Sequence, residues 1–154
     1  MKHIISINDA IFYFQSEKAL EILSKQKPMD KGIINRVKAT LLRKGVVLEQ
    51  SDEWDKHLMF TGKEAVTFTD GTMVMHTKVS ASGFYEELIH YGQIVNGRAI
   101  CGDEANNLLM EIEAKRKLIH NRRAYQITDY EIAVLQNVLD KYILQLKNLR
   151  KGGI

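Results

Sequence analysis

Cysteine and proline are almost missing from this chain. One cysteine, Cys101, in 154 residues rules out an intramolecular disulfide and any cysteine-cluster zinc site. A reducing compartment suits such a chain, although exported proteins can also lack disulfides. One proline, Pro28, and ten glycines exclude a long Pro/Gly linker. No internal repeat or low-complexity stretch is present. No run approaches the roughly 18 apolar residues that a membrane span needs. The opening Met1-Lys2-His3-Ile4-Ile5 lacks the long apolar core of a signal peptide. A cytoplasmic protein with no membrane partner is therefore expected.

A strong excess of one charge is missing too. The formal net charge is +3, and most of it comes from Lys115, Arg116, Lys117, Arg122, Arg123, Lys147, Arg150 and Lys151. A basic stripe of this kind can meet phosphates. A solvated helix face is the ordinary explanation. What remains is average for a globular protein: 45% hydrophobic residues and 27% charged, in a length that can bury a core as one domain.

The hydrophobic spacing predicts an α+β fold. Residues 8 to 26 read as a helix, capped by Asn8 or Asp9, with Ala10, Phe12, Tyr13, Phe14, Ala19, Leu20 and Leu23 on its apolar face. A second helix follows from Asp30 to Gly45. Val46-Val47-Leu48 and Leu58-Met59-Phe60 read as short strands. Ala65–Thr69 and Thr72–His76 flank Asp70-Gly71, a favoured two-residue hairpin pair. In that register Val66, Phe68, Met73 and Met75 share the core face. A third helix runs from about Phe84 to Ile94, with Ser82 as its cap. A fourth runs from about Asp103 to Asn121. The capping box Thr128-Asp129-Tyr130-Glu131 opens a fifth, to about Leu149, with Leu135, Val138, Leu139, Tyr142, Ile143 and Leu146 as its stripe. The Gly152-Gly153 tail is expected to fray. The whole is read as a single domain over 1–154, with a helical part to about 45 and a core of small antiparallel sheet and three C-terminal helices from 46.

One helix face carries the chemistry. From Phe84 onward, at about 100° per residue, Phe84, Tyr85, Leu88, Ile89 and Gly92 pack. Glu86, His90 and Gln93 stand at i, i+4 and i+7 on an adjoining polar face, and Glu87 lies on its flank. On the fourth helix Ala105, Leu108, Leu109, Ile112 and Ile119 define the core side. Glu113 then lies within about 70° of that side's centre and turns toward the third helix, while Glu111 points to solvent. Glu86, His90 and Glu113 would converge as a carboxylate–imidazole–carboxylate set able to hold a divalent metal. Each has an ordinary explanation as well. Glu86 and Glu87 suit a helix's first turn, His90 can bond Glu86 one turn back, and Glu113 can pair with Lys117. His76 could supply a second acid–base histidine, and Ser80 and Ser82 substrate contacts, or all three could simply close a strand and cap a helix. Trp54, Tyr85, Tyr91, Tyr125, Tyr130 and Tyr142 read as core or half-buried residues. His3, His57 and His120 have no companions at metal spacing, and Cys101 reads as a buried small residue.

Strand, short Ser/Gly loop, Phe84-Tyr85-Glu86-Glu87-Leu88-Ile89-His90-Tyr91-Gly92-Gln93, then Glu111-Ile112-Glu113-Ala114 resembles the zincin-like metallopeptidase layout. It looks most like the compact zincin-type domains of bacterial polymorphic toxins and of toxins fused to phage head-morphogenesis proteins. The resemblance spans roughly Gly71 to Tyr125. It implies Glu87 as general base, His90 as a zinc ligand and Glu113 as the downstream carboxylate ligand. The chain departs from the family at Glu86, which stands where His-Glu-x-x-His has its first histidine. A Glu–His–Glu set holds zinc less well and suits manganese better. A toxin of this kind implies delivery into a target cell's cytoplasm as part of a larger protein, a cognate immunity protein, and a protein or nucleic-acid substrate. Three readings follow: a metal-dependent hydrolase of peptidase type; a metal-independent nuclease using His76 and His90; and a catalytically inactive zincin-like binding protein of a phage or mobile element.

Overall fold

The computed structural model describes residues 18–152. The helical expectation for 8–17, its caps and His3 lie outside the described residues. The fold is α+β, with six helices and one three-stranded mixed sheet among those described. The chain divides into two compact units. One holds residues up to Val66 together with Thr72–Ser80; the other holds Thr67–Gly71 and the chain from Ala81 on. No helix among the described residues is long and apolar enough to cross a membrane.

The first unit begins with helix α1, described over residues 18–24. Helix α2, Lys31–Arg43, starts where the Asp30 carboxylate accepts the Ile33 N–H at 3.0 Å. It ends before Gly45, whose φ of +77° is a left-handed conformation open to glycine. Strand β1 is Leu48–Glu49. Helix α3, Asp52–Phe60, corrects the strand expected at Leu58-Met59-Phe60. Ser51 Oγ caps it by accepting the Trp54 N–H, and Asp52, Glu53 and Asp55 fill the first turn, where the helix dipole favours acids. Trp54, Leu58 and Met59 then have helical spacing, and they pack with Leu23, Val66 and Val74.

Strands β2, Ala65–Thr67, and β3, Met73–Met75, form the expected hairpin, but β3 is the middle strand of the order β1-β3-β2. It pairs in parallel with β1, Leu48 opposite Met73 and Glu49 opposite Val74. Met73, Val74 and Met75 are all fully buried, so both faces of β3 are covered and the expected alternation fails. Phe68, expected in the core, is exposed. The turn closes one residue early, with the Gly71 N–H donating to the Phe68 carbonyl.

The second unit is built on three helices: α4, Ala81–Val95; α5, Glu104–His120; and α6, Asp129–Gly152. Ile112, Leu139 and Leu146 form a core joined by Ala105, Leu108, Ile119, Tyr142 and Ile143. The stripe expected on the last helix is buried or half-buried throughout. Helix α4 starts earlier than Phe84, so Ser82 sits inside its first turn rather than capping it. Glu131, fully buried, ties the starts of two helices. Its carboxylate accepts from the Ser82 N–H and hydroxyl, and from the Thr128 N–H and hydroxyl. Cys101, expected buried, is exposed in the turn before α5.

Candidate functional site

Glu86 and His90 lie one turn apart on α4, so their side chains share a face. His90 Nε2 stands 3.6 Å from Glu86 Oε1 and 3.4 Å from Glu111 Oε1. One ligand atom from each of Glu86, His90 and Glu111 lies within 4.8 Å of the others. The imidazole is fixed from behind: Nδ1 donates to Gln93 Oε1 at 2.8 Å, and Gln93 Nε2 donates to the Met110 carbonyl at 3.1 Å. That bond keeps the proton on Nδ1 and turns Nε2 toward the two carboxylates, the orienting contact that metal-bound histidines usually have. Gln93, expected to touch substrate, is 4% exposed and serves to hold His90.

The acidic partner on α5 is a correction. Glu113 is expected to face α4 and Glu111 solvent; instead Glu111 meets His90 of α4, and Glu113 pairs with Arg98 and Lys117. Met110, Ala114, Lys115 and Leu118 are buried along with Ile112. The covered arc of α5 therefore extends away from Leu109, which is exposed, and centres near Glu111. Glu113, about as exposed as Glu111, points away from the cluster and pairs with Arg98 at 2.7 Å and with Lys117 at 3.2 Å. The Arg98 and Lys117 bonds hold its pKa below the usual carboxylate value.

A residue the sequence did not single out completes the cluster. Lys115 Nζ contacts Glu86 Oε1 at 2.5 Å and Glu111 Oε2 at 3.2 Å, and lies 5.3 Å from the centre of the Tyr142 ring. Its side chain is 7% exposed. It sits four residues after Glu111, at ion-pair spacing, and that spacing was the only sequence signal for it.

Burial and charge set the protonation of these groups. Burial alone disfavours the His90 imidazolium, but hydrogen bonds to Glu111 and Glu86 and the charges of Glu111 and Glu87 outweigh it, and its pKa stands at about 10. Burial likewise opposes ionisation of Glu111, yet His90 and Lys115 hold its pKa down at about 2. For Lys115, burial lowers the pKa and the charges of Glu86 and Glu111 raise it further, so it stays an ammonium. Glu87 differs. Burial dominates and lifts its pKa to about 7, against the lowering effect of Thr67, whose hydroxyl donates to Glu87 Oε2 at 2.5 Å.

The remaining expected site residues are used structurally. His76 belongs to the first unit and is buried. Its Nδ1 accepts the Lys78 N–H at 2.9 Å, and its Nε2 stands 3.7 Å from Asp55 Oδ2. Burial lowers its pKa, keeping it neutral, against the pull of Asp55. Ser80, in the same unit, is fully buried and donates its N–H and hydroxyl to Glu64. Ser82 donates to Glu131. None of the three offers a free surface contact to a substrate.

Comparison of the chain with protein-family models, with curated proteins and with solved structures gives no match. The reading of the site therefore rests on its own geometry.

Proposed function

We propose that the second unit is a divalent-metal-dependent hydrolase of zincin-like, peptidase type. The observation that carries this reading is the convergence of Glu86, His90 and Glu111 ligand atoms within 4.8 Å, with the His90 tautomer set by Gln93. Two carboxylates and one imidazole make a donor set for a hard or borderline ion, manganese before zinc. The charge also balances. Two carboxylates face an imidazolium and an ammonium, and a divalent ion with a neutral His90 carries the same two positive charges once Lys115 withdraws.

A bound ion would supply Lewis acidity and a water of lowered pKa. Glu86, Glu111 and His90 Nε2 would hold it, and Gln93 keeps the imidazole aimed. Glu87 is the proton acceptor, because a pKa of about 7 leaves it able both to take a proton and to release it near neutral pH. Thr67 orients the Glu87 carboxylate for that transfer. A toxin context, an immunity partner and delivery into another cell's cytoplasm belong to the same proposal.

A second reading is favoured by Lys115. Its ammonium already lies within ion-pair distance of both carboxylates. The cluster can then be a self-contained ion-pair network in an inactive zincin-like binding protein. Elemental mass spectrometry of the untagged protein and of His90→Ala separates the two. Near-stoichiometric manganese or zinc, lost in the variant, supports the hydrolase. No metal in either, even after loading with manganese, leaves the ion-pair scaffold.

A further inference from the structure

The cationic side of α5 has no part in the metal cluster. Two hollows adjoin there and share His120. One, of about 500 Å³, is lined by Arg98, Arg116, Lys117 and His120 over a floor of Leu109 and Ile112. The other, of about 550 Å³, is lined by His120, Arg122 and Arg123. Together they hold five permanent cations against one carboxylate, Glu113.

Helix stability accounts for only part of this charge. Lys117 and His120 lie in the last turn of α5, where the dipole favours cations. Arg98 and Lys117 are satisfied by Glu113. Arg116, Arg122 and Arg123 are exposed and have no carboxylate partner among the described residues. Arg116 and His120 are one helical turn apart, and Arg122 and Arg123 line the hollow beyond the helix end together with His120. Guanidinium groups bind phosphate oxygens in bidentate fashion and stack on bases. An apolar floor beside them accommodates a base rather than a second row of phosphates.

We propose that this face of α5 and the turn after it bind single-stranded nucleic acid through its phosphodiester backbone. The inference stands whether or not Glu86, His90 and Glu111 hold a metal. Binding is non-specific in sequence and steeply salt-dependent. With about four phosphates neutralised, log Kobs falls with log salt at a slope of about −3.

The test is fluorescence anisotropy of the full chain with a labelled oligouridine of about twenty nucleotides, against a duplex of equal length. Arg116→Ser/Arg122→Ser/Arg123→Ser weakens oligouridine binding roughly tenfold or more and flattens the salt slope. Lys31→Ser/Lys38→Ser/Arg43→Ser, which removes equal charge from α2, changes it less than about threefold. Glu113→Gln strengthens binding, a gain that misfolding cannot mimic. Equal losses in the two triple variants, tighter binding to the duplex, or no wild-type binding at about 50 mM salt would each overturn the proposal.

Discussion

Lys115→Met leaves the half-buried Glu86 and Glu111 carboxylates with only the His90 imidazole between them. Removing one partner of a fully buried ion pair costs about 3–5 kcal/mol; with the carboxylates part-exposed and His90 still beside them the cost is about 1–3 kcal/mol, so the urea midpoint of the variant is expected to fall. Manganese should restore more stability to this variant than to the wild type, because the competing ammonium is gone. An equal gain in both would show that Lys115 does not compete. Glu87 gives a pH signature. Its folded pKa of about 7 lies above its ordinary value, so its contribution is complete below about pH 4.5 and is lost as pH rises through 7. Glu87→Gln removes that loss, which amounts to about 3 kcal/mol. Urea unfolding of the two proteins from pH 4 to 8 is expected to diverge across this window; parallel profiles would contradict the assignment. Glu111 and His90 act at the extremes. Glu111 stabilises above its ordinary pKa and loses that effect as pH falls toward 2, and His90 loses its effect as pH rises through 10. The shared face of Glu86 and His90 was legible from the spacing alone. Lys115 was not, because a lysine one turn after a glutamate reads equally well as a surface pair.

Among the elements, α4 and α6 depend on one carboxylate. Glu131→Ala removes four hydrogen bonds at the starts of both helices. A cost of about 2–4 kcal/mol is expected from lost caps and stranded buried donors, with amide exchange accelerating at both helix starts and not at one. The bounds of α2, α5 and α6 were readable, and α6 also carries its capping box and apolar stripe where the residues put them. Periodicity misplaces α5's orientation: Met110, Ala114 and Leu118 are buried and shift the covered arc toward Glu111, so Glu111 and not Glu113 meets His90. It failed for α3 because Leu58-Met59-Phe60 is too short an apolar run to separate strand from helix; the Ser51 cap and the acidic first turn were the overlooked signal. Hairpin alternation failed at β3 because both of its faces are covered, which the hairpin residues by themselves do not reveal.

For the molecule as a whole, a metal that binds only the folded state raises stability by mass action, about 2.7 kcal/mol at one hundred times Kd. The thermal midpoint should therefore rise with manganese in the wild type and stay fixed in His90→Ala, and a rise in both would place the ion elsewhere. The α+β class was readable, since the period changes from helical to strand-like and back. The division into two units was not. It depends on which segments meet in space, and the chain crosses that division at residues 67, 72 and 81.

That crossing restricts how the protein can be inherited in pieces. The hairpin's turn belongs with the three C-terminal helices, and its flanking residues belong with the N-terminal unit. A gene break at the loop before Ala81 would look clean on a linear map, yet it would strip Thr67 from Glu87 and Gly71 from its place near Tyr91. Shuffling by recombination is thus expected to move both units together, whatever partner segments lie on either side.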